Sequence, residues 1–101
     1  MTVVAKNSTV RLEKAAYILK AVAHPMRLAV IELLSVNEKM GVTEICEALK
    51  CEQSLMSHHL INMKLRGILG SAKEGLNVHY FLKQKAVTQL VACIENCECN
   101  M

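Results

Sequence analysis

The stretch from residue 52 to residue 67 constrains this chain more than any other, because it combines helical periodicity with an unusual polar face. Apolar side chains recur at the spacing of one buried helix face, at Met56, Leu60 and Met63. The opposite face carries three short hydrogen-bonding side chains and one apolar one, namely Ser54, Ser57, His58 and Ile61. A solvated helix face usually pairs Glu with Lys four residues apart, whereas this face has almost no carboxylates. The pattern favours a helix that presents its polar side to a ligand.

Double-stranded DNA is the ligand that these side chains suit. Glutamine, serine and histidine can approach base edges and phosphates closely, and flanking lysines supply positive charge. We therefore predict the recognition helix of a helix-turn-helix. Its predicted DNA contacts are Gln53, Ser54, Ser57, His58 and Lys64. For this segment alone, the alternative is a solvated surface helix that happens to be rich in Ser and His.

The length and composition fit a single folded domain over residues 1–101. Hydrophobic residues make up 52% of the chain, which suffices for a core. With no Trp, two Tyr and one Phe, stacking of single-stranded bases on aromatic side chains is poorly supported. The formal net charge of +3 is a mild indication of a nucleic-acid partner.

Several other classes of protein find no support in the sequence. There is no signal peptide and no segment long enough to span a bilayer, so we expect a cytoplasmic protein without a membrane partner. No glycine-rich phosphate loop, paired-carboxylate signature or C-x-x-C motif is present, so we expect neither an enzyme nor a cofactor. The five cysteines are odd in number and do not form a structural disulfide framework.

Apolar spacing along the chain predicts four helices, a β-hairpin and a final helix, in the order ααααββα. The predicted segments are a disordered arm 1–8, helix 9–22 capped by Ser8 or Thr9, helix 25–36, loop 37–41, helix 43–49 capped by Thr43, helix 52–66, strands within 68–82, and helix 84–97. The second helix is apolar nearly all round, apart from Arg27 and Glu32, and should be the buried centre. Gly67 should end the fourth helix in the left-handed conformation.

These elements define a fold that is mainly α with a small β-hairpin. Residues 43–66 are two short helices joined by three residues, which is a helix-turn-helix. The hairpin over residues 68–82 follows directly, and a helix-turn-helix followed by a hairpin is a winged helix. The wing adds Lys73 to the predicted DNA contacts.

Three motifs in this order resemble the ArsR/SmtB family of transcriptional regulators. They are LKAVAHPMRL at 19–28, QSLMSHHL at 53–60, and Gly67-Ile68-Leu69 with the wing residues 73–80. The resemblance covers about four-fifths of the chain. It implies a homodimer, held by the first and last helices, that represses genes by binding a pseudo-palindromic operator until an inducer lowers its affinity.

Two features of this sequence bear on that expectation. The stripe formed by Val87, Leu90, Val91 and Ile94 within 84–97 fits a dimerising helix, although packing inside one subunit would produce the same stripe. Where many relatives place arginines in the wing, this chain has Ala72 and Leu76, so Lys73 is the main cation at the tip. We therefore expect the salt dependence of DNA binding to be shallow.

The cysteines indicate what the regulator senses. The positions that match the zinc ligands of relatives are Gln84, Ala86, Cys97 and Asn100, which lack the required imidazole and carboxylate groups. Cys46 and Cys99 instead resemble the two cysteines of the thiol-sensing branch. This resemblance implies that an oxidant or reactive sulfur species links Cys46 to a C-terminal cysteine, Cys99 or Cys97, and so releases the operator.

Three alternatives remain open for these thiols. A thiophilic ion such as As(III), Cd(II) or Cu(I) would be the inducer if thiolates bound it, with Cys46, Cys93, Cys97 and Cys99 as the candidate ligands. Cys46, Cys51 and Cys93 are also candidates for simple apolar core residues. In a different class, the chain would be a metal-buffering or protein-interaction module that kept the winged helix without binding DNA.

The histidines divide into one functional and three structural predictions. By helical phase, His58 points with Ser54 and Ser57 toward DNA. His24 is expected to be a hydrogen-bonded core residue, His59 a packing residue, and His79 a structural residue of the second wing strand.

Overall fold

This computed structural model describes residues 6–97, and this part of the chain forms five helices and a three-stranded sheet. The helices are α1 (Lys6–Val22), α2 (Pro25–Val36), α3 (Val42–Leu49), α4 (Gln53–Leu65) and α5 (Ala86–Glu95). The strands are β1 (Met40–Gly41), β2 (Leu69–Glu74) and β3 (Asn77–Leu82). The prediction of a winged helix-turn-helix that is mainly α is confirmed.

The sheet contains one strand that the predicted order ααααββα omits. β1 pairs with β3 in an antiparallel register that places Met40 opposite Tyr80 and Gly41 opposite His79. β2 and β3 form the predicted hairpin, in the strand order β1-β3-β2. A strand of two residues shows no alternation of apolar and polar side chains, so sequence periodicity assigned this segment to a loop.

The boundary between α1 and α2 follows from one proline. His24 has an extended backbone, as expected before Pro25, and its Nδ1 accepts a hydrogen bond from the Met26 backbone N–H at 3.1 Å. This capping role leaves His24 exposed, so its predicted place in the core was wrong. α2 is central as predicted, and its buried residues include Val30 and Ile31.

Two predicted helix starts were also wrong. α1 begins at Lys6, so Ser8 and Thr9 are not its caps, and the predicted disordered arm 1–8 is helical over residues 6–8. Residues 1–5 of that arm lie outside the described part of the chain. α3 begins after Gly41 rather than Thr43, because the Glu44 carboxylate accepts the Gly41 backbone N–H at 3.0 Å.

Left-handed residues set the ends of α3 and α4. Lys50 has a φ of 51°, and the backbone N–H groups of Lys50 and Cys51 both donate to the Cys46 carbonyl. Gly67 has a φ of 80°, and the next N–H, on Ile68, donates to the Met63 carbonyl at 3.0 Å. This second pattern is a Schellman motif, which confirms the predicted cap at Gly67.

One hydrophobic core unites the helices and the sheet. Its fully buried side chains include Ile31, Ile45, Met56, Leu60, Met63, Ile68 and Leu69. Val87 and Val91 of α5 close the core over α2, and α5 spans only part of the predicted range 84–97. Among residues 6–97 there is no helix with the length and apolar character that crossing a bilayer requires.

Candidate nucleic-acid interface

The two faces of α4 differ as the periodicity predicts. Met56, Leu60 and Met63 are fully buried, which anchors the helix to the core. On the outer side Gln53, Ser54, His58 and Lys64 are exposed, and Ser57 is half-buried. All five predicted DNA-contacting side chains of α4 therefore lie outside the core.

The first turn of this outer face holds a local hydrogen bond. Glu52 precedes the helix as its N-cap residue, without a side-chain hydrogen bond to the helix backbone. Its carboxylate instead accepts the hydroxyl of Ser54. The Ser54 hydroxyl hydrogen is therefore engaged, and its exposed oxygen can still accept a hydrogen bond from a donor on a base edge or from the solvent.

The last turns of the outer face are apolar. Ile61 and Leu65 are both exposed and continue the line of Ser54 and His58 along the helix. Leu65 was missed in the sequence analysis, although its spacing of seven residues from His58 places it on the same face. An exposed apolar side chain on such a helix can contact a thymine methyl group in the major groove.

The wing presents an apolar tip beside one lysine. Leu76 is 96% exposed in the tight turn between β2 and β3, next to Gly75 with a φ of 64°. Lys73 is exposed on β2. An open cleft of about 400 Å³ separates the N-terminal end of α4, at Gln53, from wing residues Leu76 to His79.

An ion pair ties the tip end of β2 to the loop before β1. The Lys39 ammonium contacts the Glu74 carboxylate, and this hydrogen bond lowers the pKa of Glu74 and raises the pKa of Lys39. The buried Nδ1 of His79 lies 3.6 Å from the same carboxylate, too far for a hydrogen bond. His79 is part of the wing framework, as predicted, and Lys39 offsets the negative charge of Glu74.

Behind α4, one arginine joins three helices. The Arg27 guanidinium of α2 donates to His59 Nδ1 at 3.0 Å, to Asn62 Oδ1 at 2.8 Å, and to the Ala21 carbonyl of α1 at 3.0 Å. The ring of His24 lies 4.6 Å from the ring of His59, centroid to centroid. His59 is a packing residue as predicted, but its arginine partner was missed.

Electrostatics keep His59 neutral. Burial lowers the pKa of His59 below its usual 6.5, and the neighbouring His24, Arg27 and His58 act in the same direction.

A second contact between α1 and the end of α4 lies nearby, where the Arg66 guanidinium stacks 5.3 Å from the centre of the Tyr17 ring.

The comparisons with known proteins agree with this geometry. Residues 24–70 match the family described as bacterial regulatory protein, arsR family. An HTH-type transcriptional regulator of Methanocaldococcus jannaschii is 36% identical over 85 residues, which are 84% of this chain and 96% of the relative. The transcriptional repressor PagR of Bacillus anthracis is 35% identical over 79% of this chain and 80% of its own length. This chain belongs to the ArsR family.

Solved structures match the fold over most of its length. The crystal structure of PagR aligns with a TM-score of 0.77 at 32% identity, covering 85% of this chain and 98% of PagR. Reduced HlyU from Vibrio cholerae aligns with a TM-score of 0.79 at 26% identity, covering 95% of this chain and all of HlyU. The members of the family matched here are described as transcriptional regulators, not as enzymes.

The thiols of this ArsR-family protein lie in two places. Cys46 on α3 and Cys51 in the turn before α4 are half-buried and pack against the core. Cys93 on α5 and Cys97 after it are exposed, and Cys99 lies outside the described residues. α5 packs mainly on α2, whereas α3 packs on α2, α4 and the sheet.

The surroundings of Cys46 make its thiol a slow nucleophile. Burial raises the pKa of Cys46, and Cys51 and Glu47 add to this effect. Because the thiolate is the reactive form, this shift disfavours Cys46 as the first thiol to react with an oxidant. Between residues 6 and 97, no three His, Cys, Asp or Glu side chains are grouped as a metal site requires, so the structure does not bring Cys46, Cys93 and Cys97 together.

An apolar surface remains open where α1 and α5 meet. Val10, Leu12, Tyr17 and Leu19 of α1 and Leu90 and Ile94 of α5 are exposed. Between the two helices lies a groove of about 250 Å³, whose lining is almost entirely apolar. Exposed apolar surface of this extent on two adjacent helices is typical of a protein interface.

Proposed function

We propose that this protein represses transcription by binding a pseudo-palindromic operator as a homodimer, and that thiol chemistry at Cys46 releases it. The observation that carries the proposal is the outer face of α4, where exposed Gln53, Ser54 and His58 lie on a helix that is firmly anchored to the core. Among the relatives, PagR is described as a repressor. A rigid helix with a polar outer face suits insertion into the major groove.

Each predicted contact has a distinct role in this proposal. Gln53, Ser54, Ser57 and His58 read base edges, because their side chains offer the short donors and acceptors that base recognition requires. Lys64 and Lys73 bind phosphates and fix the register of the protein on the duplex. Ile61 adds an apolar contact that favours thymine. The cleft between Gln53 and the wing leaves room for the intervening DNA backbone.

The dimer in this proposal uses the exposed apolar surface of α1 and α5. In one copy this surface is uncovered, and a second copy related by a two-fold axis would cover it with the same residues. Such a dimer places two α4 helices on one side of the molecule, where they reach successive major grooves of a palindromic site.

Fluorescence anisotropy with the promoter DNA of the gene that encodes this protein tests operator binding. Ser57→Ala and His58→Ala should each weaken binding by about 1–3 kcal/mol. Ser35→Ala, the same change at an exposed serine of α2 outside the predicted DNA contacts, should leave binding unchanged. No binding by the reduced or the oxidised protein would contradict the proposal and favour a winged-helix interaction module, for which the arginine-poor wing is the supporting feature.

Release begins, in this proposal, at an exposed thiol near the C-terminus. Peroxide converts the thiol of Cys97 or Cys99 to a sulfenic acid with loss of water, and the Cys46 thiol then displaces a second water to form a disulfide. Reactive sulfur species would leave extra sulfur atoms in the same link. The exposure of Cys97 and the raised pKa of Cys46 support this order of events. HlyU, which is described in a reduced form, is the relative that favours redox sensing.

Mass spectrometry and DNA binding together test this release. Peroxide or polysulfide should produce a peptide that links Cys46 to Cys97 or Cys99 and should lower operator affinity, and Cys46→Ser should abolish both effects. Cys93→Ser should preserve both, because Cys93 is not part of the proposed link. Loss of DNA binding without any such peptide, after As(III), Cd(II) or Cu(I) is added, would instead support a thiophilic ion as the inducer.

A further inference from the structure

The junction around Arg27 links the two functional surfaces of the molecule. One guanidinium nitrogen contacts both the last turn of α1, at the Ala21 carbonyl, and Asn62 of α4, while Nε contacts His59 of α4. These three hydrogen bonds are between 2.8 and 3.0 Å long and come from a single rigid group. The contact of the Arg66 guanidinium with the Tyr17 ring also joins α1 to the end of α4, but it involves a single pair of side chains.

We propose that Arg27 is a positioning residue that fixes the orientation of the recognition helix α4 relative to the dimerisation helix α1, and that this connection holds only while His59 is neutral. The inference rests on the proposed function, because it assigns an effect on operator binding. In a two-fold dimer, any tilt of α4 against α1 changes the distance between the two recognition helices. Arg27 would therefore control the preference for correctly spaced half-sites over unrelated DNA.

The requirement for neutral His59 follows from the direction of its hydrogen bond. Nδ1 of His59 accepts the Nε–H of Arg27, so this nitrogen must keep its lone pair and the ring proton must reside on Nε2. A proton on Nδ1 would remove the acceptor and place two positive groups in contact. The groups that face His59 are Arg27 of α2, His24 of the α1–α2 junction and His58 of α4, and none of them is a carboxylate that would offset the new charge.

The sign of the pH effect follows from these contacts. Burial, and to a lesser extent the neighbouring His24, Arg27 and His58, lower the pKa of folded His59 below 6.5, so the folded protein binds this proton less readily than the unfolded chain does. The neutral, connected state therefore predominates above pH 6.5. Its contribution to stability falls as the pH drops from 6.5 through the lowered pKa of His59.

Two variants of the full chain separate positioning from general charge effects. Arg27→Lys keeps the positive charge but cannot reach His59, Asn62 and Ala21 at once. His59→Asn keeps an acceptor oxygen near the position of Nδ1 and does not titrate. Affinities for the promoter duplex and for an unrelated duplex of equal length are measured between pH 8 and pH 5.5. Their ratio cancels any change in phosphate attraction that is common to both duplexes.

We expect Arg27→Lys to lower this ratio about tenfold at pH 8 while the protein stays folded and dimeric. We expect the wild-type ratio to fall as the pH drops from 6.5 through the lowered pKa of His59, and the His59→Asn ratio to stay flat over the same range. Identical pH profiles for wild type and His59→Asn, or an unchanged ratio in Arg27→Lys, would overturn the proposal.

Hydrogen exchange gives a readout that does not depend on DNA. If neither duplex binds at any pH, the proposed function is wrong. The connection between Arg27 and His59 is then tested by the exchange protection of the backbone amides of residues 59–65. Protection in wild type should fall below pH 6.5, after correction for the intrinsic exchange rate, and should stay constant in His59→Asn. Equal losses in both proteins would refute the connection between Arg27 and neutral His59.

Discussion

The helix-turn-helix and wing differ from the helices α1 and α5 in how far their apolar side chains are buried. In residues 42–82, Ile45, Met56, Leu60 and Met63 are all removed from water within a single chain. In α1 and α5 a row of apolar side chains stays exposed, with Leu12 60% exposed and Ile94 62% exposed. The exposed apolar side chains of the first region, such as Leu65 and Leu76, lie on the proposed DNA-binding side, whereas a second copy would cover those of α1 and α5 in the proposed dimer. In this proposal, the stability of the DNA-binding region and the assembly of the dimer depend on separate sets of residues.

The largest expected effect concerns the buried face of α4. Leu60→Ala should lower the free energy of unfolding by about 2–5 kcal/mol, because it leaves a cavity beneath the recognition helix. Leu55→Ala is the matched control, since Leu55 is on the same helix and 51% exposed, and should cost far less. Urea denaturation of both variants measures the difference. Equal losses would show that the two faces of α4 are not distinct.

The next effect tests the open surface of α1. Leu12→Asp should convert the dimer to a monomer in sedimentation experiments and weaken operator binding about hundredfold or more, because the second half-site no longer binds intramolecularly. Val36→Asp adds the same charge at a side chain that is exposed at the end of α2, away from the groove, and should leave the dimer intact. A Leu12→Asp protein that remains dimeric would place the interface elsewhere.

A smaller effect is expected at the end of α4. Gly67→Ala should lower the free energy of unfolding by about 1 kcal/mol, because its φ of 80° is unfavourable for a residue with a Cβ atom. No neighbouring atom would clash with the added methyl group, so the cost is conformational. Gly67→Asn should cost less, since Asn tolerates the left-handed region better. Thermal unfolding of the three proteins ranks them, and a greater loss for Asn would contradict this reason.

The smallest effect concerns the charge of the wing. Lys73→Gln should reduce the slope of log K against log salt by about 0.9 for each chain bound, because one phosphate contact is lost. Ala72→Arg, at the neighbouring exposed position, should steepen it by a similar amount. Anisotropy titrations between 50 and 200 mM salt, roughly the range over which such slopes are determined, measure both. An unchanged slope in Lys73→Gln would remove this lysine from the interface.

The parts of the fold that sequence predicted well are those governed by local rules. The buried face of α4, the break at Pro25 and the cap at Gly67 each depend on residues within a few positions of one another. α1 was placed less well, because its exposed apolar residues follow a weaker periodicity than a core helix does. The strand β1 was missed because its pairing with β3 spans almost forty residues of sequence and its two residues carry no pattern of their own.

The candidate site divides in the same way. Helical phase predicted that Gln53, Ser54 and His58 would be exposed, and the structure agrees. The partnership of Arg27 with His59 and Asn62 was not predictable from spacing, because it joins residues 32 and 35 positions apart. The available signal for these partners was that Arg27 is a charged residue in an otherwise apolar helix, since a charge removed from water requires polar partners. The contacts of residues with DNA and the cysteine link stay predictions.

The carbonyl group of Cys46 holds the sharp bend between α3 and α4, since it accepts the N–H groups of both Lys50 and Cys51. The same residue carries the thiol that the redox proposal modifies. Only three covalent bonds separate that sulfur from the carbonyl carbon of Cys46, so strain applied to the sulfur would act on the group that sets the angle of α4. A modification of the Cys46 side chain would thereby change the orientation of α4 directly, without a structural change that passes through the core.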